Sequence, residues 1–166
     1  MKYSRATIGS IFVLIVVLFF VGRDVSYDKI NETFAKDIEY SDGTLTFDGG
    51  SIQVALAETD EERRTGLSRQ RTIGENEGLL FIFNESDEHG IWMRDMYFPI
   101  DIIWLDNVLG VVDFKENATP ESFRSLRDAE VFTPSAPALY VLEVRAGFVD
   151  TQEVVVGDTF SLMRKR

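Results

Sequence analysis

Between Ala6 and Gly22 no position is charged, and from Ile11 to Val21 nearly every residue is Val, Ile, Leu or Phe. Beyond it, apolar residues fall into short runs divided by Gly, Pro, Asp and Asn. Leu45 and Phe47 alternate with threonines, Asp48-Gly49-Gly50 supplies a turn, and Ile52, Val54 and Leu56 alternate again. That pattern predicts a β-hairpin. Thr59 with Glu62 three places on predicts a capped helix from about residue 60, ending near Gly66-Leu67. Leu79 to Phe83 is an unbroken apolar run, expected as a buried strand with the acidic Asn84–Glu88 stretch as its exit loop. Further strands are expected at Ile91–Asp95, Ile100–Leu105, Val108–Phe114 and Leu139–Val144. A strand–turn–strand is expected from Val154 to Phe160. Lys115–Ala138, with three of the four prolines, reads as a surface excursion. Many short strands and few helices predict a mainly β, compact barrel-like or sandwich-like antiparallel domain with one or two short helices.

As a helix, Ala6–Gly22 would span roughly 25 Å, slightly less than a hydrocarbon core of about 30 Å, with Lys2, Arg5 and Arg23 placed to snorkel. A cleaved signal peptide is the alternative. Phe20 lies two places before Gly22 and no A-x-A-like site follows, so an N-terminal transmembrane anchor is favoured. Lys2 and Arg5 precede the segment, whereas Asp24 directly follows Arg23. The expected topology is single-pass, with a cytoplasmic N-terminus and the C-terminal domain extracytoplasmic. The expected organisation is an anchor at 6–22, a spacer at 23–40, one globular domain at 41–163 and a basic tail at 164–166.

Composition narrows the chemistry. The net charge is −11, which opposes contact with phosphate backbones, so no nucleic-acid partner is expected. With no cysteine and one histidine, His89, the chain lacks the nitrogen and sulfur ligands of zinc, copper or iron–sulfur sites. No Gly-x-Gly-x-x-Gly or Walker pattern is present. No cofactor and no transition metal are therefore expected. Asn84–Glu88 offers oxygen ligands without the spacing of a calcium loop, and a solvated loop is the better reading.

The run Glu62-Arg63, Gly66-Leu67, Arg71, then Glu77-Gly78-Leu79-Leu80-Phe81-Ile82-Phe83, resembles the opening of the family called domain of unknown function 192. Trp92-Met93-Arg94, Pro99-Ile100-Asp101-Ile102-Ile103 and Asp106 are similar to its central signature. Tyr140-Val141-Leu142-Glu143, Ala146-Gly147 and Gly157-Asp158 complete the likeness. The resemblance implies a mainly β, barrel-like domain, often exported, with no established activity. Asp95 stands where such proteins usually carry asparagine, and the Pro120 region lacks the cysteine that many of them have nearby.

Candidate site residues follow from polarity in apolar settings. Alternation places Trp92 and Arg94 on one face of their segment. Asp101 shares a face with Ile103 and Leu105, where a carboxylate needs a cation or several donors. Arg94, Arg71 and backbone amides are the available partners, and a register-fixing role is favoured over ligand contact. Glu143 reads as a solvated strand residue; the sharper alternative pairs it with Asp101 for general acid–base hydrolysis. His89 is a remote catalytic candidate with no Gly-x-Ser-x-Gly elbow to serve. The expected function is binding of a small polar ligand or envelope component through Trp92, Arg94, Asp101 and Arg71. The alternatives are a hydrolase or a purely structural envelope protein.

Overall fold

The structure, a computed structural model, describes residues 40–68 and 70–165. The expected anchor and spacer up to residue 39 lie outside the described residues. Among those described, no helix is long and apolar enough to cross a membrane.

The hairpin is present: β1 (Ser41–Phe47) pairs antiparallel with β2 (Gly50–Ala57) through the predicted Asp48-Gly49 turn. Helix α1 (Asp60–Thr65) follows with the full capping box. Thr59 Oγ1 accepts from the Glu62 amide at 3.2 Å, and Glu62 Oε2 accepts from the Thr59 amide at 2.7 Å. The remaining strands are β3 (Glu77–Asp87), β4 (Ile100–Leu105), β5 (Val111–Ala118), β6 (Ala138–Arg145) and β7 (Ser161–Arg164). A second short helix, α2 (Phe148–Thr151), starts after Gly147, whose φ of 89° suits a residue without a side chain.

Mainly β with two short helices is the class expected, but the architecture differs from a closed or sandwiched antiparallel domain. One open seven-stranded sheet runs in the order β5-β4-β6-β3-β2-β1-β7. Its β2 and β3 are parallel, because the intervening chain with α1 carries the polypeptide back to the starting end of the sheet. The sheet curls without closing. The start of β5 meets the lead-in to β7, with Val111 N donating to Asp158 O at 2.8 Å and Phe160 N to Leu109 O at 2.9 Å. Gly110 and Thr159 form a single bridge there rather than a ladder.

Several boundaries are corrected. The supposed exit loop Asn84–Glu88 is largely the end of β3, which pairs Asp87 with Ala138 beyond an irregularity. Ile91–Asp95 is not a strand: Ile91 makes one bridge, to Phe132, and Asp95 turns away at φ 56°. The strand expected at Val108–Phe114 starts at Val111 and runs on to Ala118, taking the first residues of the presumed excursion. Val154–Phe160 holds no strand, since its backbone bonds go to the turn and to β5, and β7 forms just after it.

The sheet is covered on two faces, which is why β4 is buried along its whole length. One face packs Leu45, Leu56, Leu80, Ile103 and Leu142 beneath Phe148, Val149 and Phe160. The other packs Leu79, Phe81, Ile102, Trp104 and Val141 beneath Leu67, Ile91, Met93 and Phe132. Alternation along each strand decides which face a side chain meets, and this separates the two buried acids.

Candidate functional site

Among the described residues, Asp101 and Glu143 are the buried charged ones, at 0 % and 5 % exposure. Asp101 pairs across β4 and β6 with Val144, and Ile102 pairs with Glu143. Directly opposite residues share a face, so Asp101 lies with the Val144 face and Glu143 with the Ile102 face. Two carboxylates on opposite sides of a sheet cannot act on one bond.

Asp101 is satisfied by backbone. Its Oδ2 accepts from the amides of Gly147 (3.0 Å) and Val149 (2.9 Å), and Oδ1 accepts from Asn117 (2.8 Å). Asn117 sits at φ 48° beside the irregularity in the β4–β5 pairing, which turns its N–H inward. Gly147, at the start of α2, has no side chain to cap the helix, and Asp101 does so from another strand. The expected partnership with Arg94 or Arg71 is not formed. Backbone amides are the partners instead, and they tie β4 to the end of β5 and to the start of α2.

Glu143 is placed differently. Its Oε2 has no hydrogen-bond partner. Burial pushes the carboxyl up to about 8, opposed in part by the Leu67 amide, so Glu143 is largely the neutral acid at pH 7. It lies at a cleft of about 220 Å³ whose walls include Arg64, Gly66, Phe83, Trp92 and Arg94. The solvated residue expected from the sequence is instead a buried acid at the lining of a cleft.

Local chemistry shapes that cleft. Arg63 clamps α1 to β3 by donating to the carbonyls of Glu58 (2.6 Å) and Ile82 (2.7 Å), and its guanidinium lies 5.3 Å from the Phe83 ring centroid. Gly66 ends α1 at φ 53°; a Cβ there would come 3.3 Å from Phe81 and 3.8 Å from Glu143 Oε2, narrowing the space above the acid. The Tyr40 hydroxyl is shared between the carbonyls of Gly66 (3.2 Å) and Glu62 (3.3 Å). Burial, then the acids Glu62 and Glu143, push the phenol to about 12.

On the opposite wall, buried Ile91 and Met93 pin the segment and turn Trp92 and Arg94 outward, the alternation expected without the strand. Trp92 is 42 % exposed and meets Phe123 edge-on at 5.8 Å. Arg94 lies 5.9 Å from the Trp92 ring centroid and 3.4 Å from Asp95, an exposed pair that holds it weakly. Asp95 is left-handed, a conformation that asparagine and aspartate both tolerate, so the departure noted at this position leaves the turn possible.

His89 stacks on Phe83 with centroids 3.5 Å apart, and its ring Nε2 is 3.0 Å from Glu85 O. It stands behind the cleft wall and is not among the lining residues. Its carbonyl accepts from Trp104 Nε1 at 2.8 Å. Arg71 is exposed and also absent from the lining. Thus Trp92, Arg94 and Glu143 come together, while Asp101, Arg71 and His89 do not join them. Arg64, Gly66 and Phe83 were missed. Gly66 and Phe83 stand in the motif runs, but only as a helix stop and a core residue.

The pattern of the family DUF192, described as an "Uncharacterized ACR", matches residues 43–162. The chain belongs to this family. It is 34 % identical over 110 residues to a UPF0127 protein of Thermococcus gammatolerans, covering 65 % of each. A UPF0127 protein of Thermococcus kodakarensis is 34 % identical over 111 residues, covering 66 % of this chain and 64 % of that one. The chain thus spans just under two thirds of the length of these relatives. A crystal structure from Sinorhizobium meliloti, described as a "putative transcription regulator", superposes with a TM-score of 0.66 at 28 % identity, covering 75 % of this chain and 96 % of that one. A protein of unknown function from Novosphingobium aromaticivorans gives 0.64 at 27 %, covering 76 % and 87 %. In this DUF192 member the motif residues divide into two groups. Glu62, Arg63, Asp101 and Gly147 hold backbone in place, whereas Trp92, Arg94 and Glu143 border the cleft.

Proposed function

We propose that this DUF192 domain is a small-ligand binding module, tethered by the Ala6–Gly22 segment at the outer side of a membrane. The observation that carries the binding reading is the buried Glu143 carboxyl, whose Oε2 is unpartnered at a cleft bordered by Trp92 and Arg94. A buried polar atom left without a partner costs about 1–3 kcal/mol, and a ligand that hydrogen-bonds to it recovers part of that cost. Aromatic walls with a few convergent polar groups are the usual make-up of a ligand site. The tether rests on the apolar run and its flanking charges.

Other readings gain less support. Hydrolysis by paired carboxylates has no shared cleft for Asp101 and Glu143. A nucleic-acid reading, prompted by the description of the Sinorhizobium protein as a "putative transcription regulator", is opposed here by a net charge of −11. The test is a melting screen of the full chain in detergent against sugars, amino acids, organic acids and nucleosides. A true ligand present at about 100 times its Kd raises stability by about 2.7 kcal/mol. Glu143→Ala is expected to abolish that response. A screen in which no compound moves the wild-type melting temperature counts against the binding reading.

A further inference from the structure

We infer that the cleft takes a small oxyanion, a carboxylate or phosphate carrying a compact apolar or ring body, with Arg94 meeting its charge and Glu143 donating a hydrogen bond from the floor. The inference rests on the binding reading and adds the ligand class.

Charge at the cleft runs against the charge of the molecule. The chain carries −11, yet the charged residues lining the cleft are Arg63, Arg64, Arg94 and Glu143. Arg63 is committed to two carbonyls and Asp60. Among the described residues Arg64 has no ion pair, and Arg94 has one exposed ion pair, with Asp95, besides its contact with the Trp92 ring. Both are therefore available to a ligand, and a guanidinium suits the oxygens of a carboxylate or phosphate. A cationic ligand would meet arginines at the mouth. It would also have to remove the proton from Glu143 before pairing with it.

The floor adds specificity. An acid that holds its proton has one O–H donor, and an oxyanion is an acceptor. Burial favours the protonated state of Glu143, and the bound anion favours it further. The walls set the rest. Trp92 offers flat apolar surface, and about 220 Å³ falls below the roughly 300–1,000 Å³ of sites for drug-sized molecules. The ligand body is accordingly small.

The charged and titratable groups around the cleft are Arg63, Arg64 and Arg94, which line it with Glu143, and Tyr40, whose phenol feels both Glu62 and Glu143. Tyr40 holds its proton to about 12, so it does not change charge between pH 7 and 9. Glu62 is held below its usual range by the capping hydrogen bonds, against the opposing effect of burial. Loss of the Glu143 proton in this window turns a donor into a charge that repels the oxyanion.

The experiment titrates the full chain in detergent with benzoate and phenyl phosphate, and with benzylamine and glucose as cationic and neutral controls. The readouts are melting temperature and the indole N–H shift of Trp92. The two anions are expected to bind and the controls not to. Arg94→Gln should weaken the anions about tenfold or more, the scale of one charge-assisted hydrogen bond. Wild-type affinity should fall between pH 7 and 9, while Glu143→Gln, which keeps a donor, should bind with little pH dependence. Anionic phospholipid vesicles form the second arm. A Trp92 shift with vesicles alone keeps the oxyanion and assigns it to a lipid headgroup. Binding of benzylamine or glucose without the anions overturns this inference and leaves the binding reading standing. Anion binding unaffected by Arg94→Gln also overturns it, and silence toward every compound of the wider screen overturns both.

Discussion

At the scale of single residues, the two buried acids illustrate opposite ways of hiding a carboxyl group. Asp101 has three backbone donors and Glu143 Oε2 has none. Asp101→Ala would leave three amides without an acceptor and is expected to destabilise the domain by about 3–5 kcal/mol in urea unfolding. Asp101→Asn keeps one oxygen and should cost less. A loss of only a few tenths for the alanine variant would show that water replaces the carboxylate. For Glu143, the folded pKa of about 8 stands above the ordinary 4.5. Its stabilising contribution is thus complete below about pH 4.5 and is lost as pH rises through about 8. The slope is about 1.4 kcal/mol per pH unit between those values. Glu143→Gln removes this slope, so the gap between variant and wild type should widen in favour of the variant from pH 5 to pH 8. A pH-independent gap would refute the neutral-acid assignment. The sequence named backbone amides among the possible partners of Asp101 without choosing them over the arginines, and it missed the burial of Glu143. Both acids lie among apolar neighbours, and only the bulge at Asn117 and the position of Gly66 distinguish a satisfied carboxylate from an orphaned acid.

Elements whose signals are local matched expectation. The Asp48-Gly49 turn and the Thr59–Glu62 box act within a few residues, and hairpin and helix formed where those signals stand. Thr59→Ala removes one half of the box and should cost about 1 kcal/mol. Because α1 carries Arg63 and leads into Gly66, the same change should weaken any ligand response in the cleft. Chemical unfolding and the melting screen measure the two effects separately. Elements defined by distant partners were misread. The end of β3 looks like a loop because its acids are exposed, yet Asp87 pairs with Ala138, some fifty residues away in sequence. Trp92–Arg94 has strand-like alternation but no neighbouring strand beyond the single Ile91–Phe132 bridge. Periodicity reports which side is buried, and pairing needs a partner that periodicity does not name.

For the whole molecule, the tether and the cleft are proposals on different grounds and fail independently. A reporter fused after Arg166 is expected to behave as exported, and the mature chain to retain Met1–Gly22. Mass determination of the purified protein checks the second point. A soluble form beginning near Arg23 would overturn the anchor while leaving export intact. A reporter active only in the cytoplasm would overturn export itself, and the cleft would then meet cytoplasmic solutes.

Sequence alone determined the β-rich class, the hairpin, the capped helix, the family and the shared face of Trp92 and Arg94. These depend on neighbours within a turn or two, on side-chain period, or on motif spacing. Tertiary structure decided what depends on register and curvature. The parallel β2–β3 pair followed from where the crossover returned the chain, and the open curled sheet from single-residue bonding between its edges. The offset of one position between Asp101 and the residue opposite Glu143 sent two similar acids to opposite faces of the sheet. One was sealed among amides and the other left its carboxyl at a cleft, because side chains alternate strictly while strand register is set across the whole sheet.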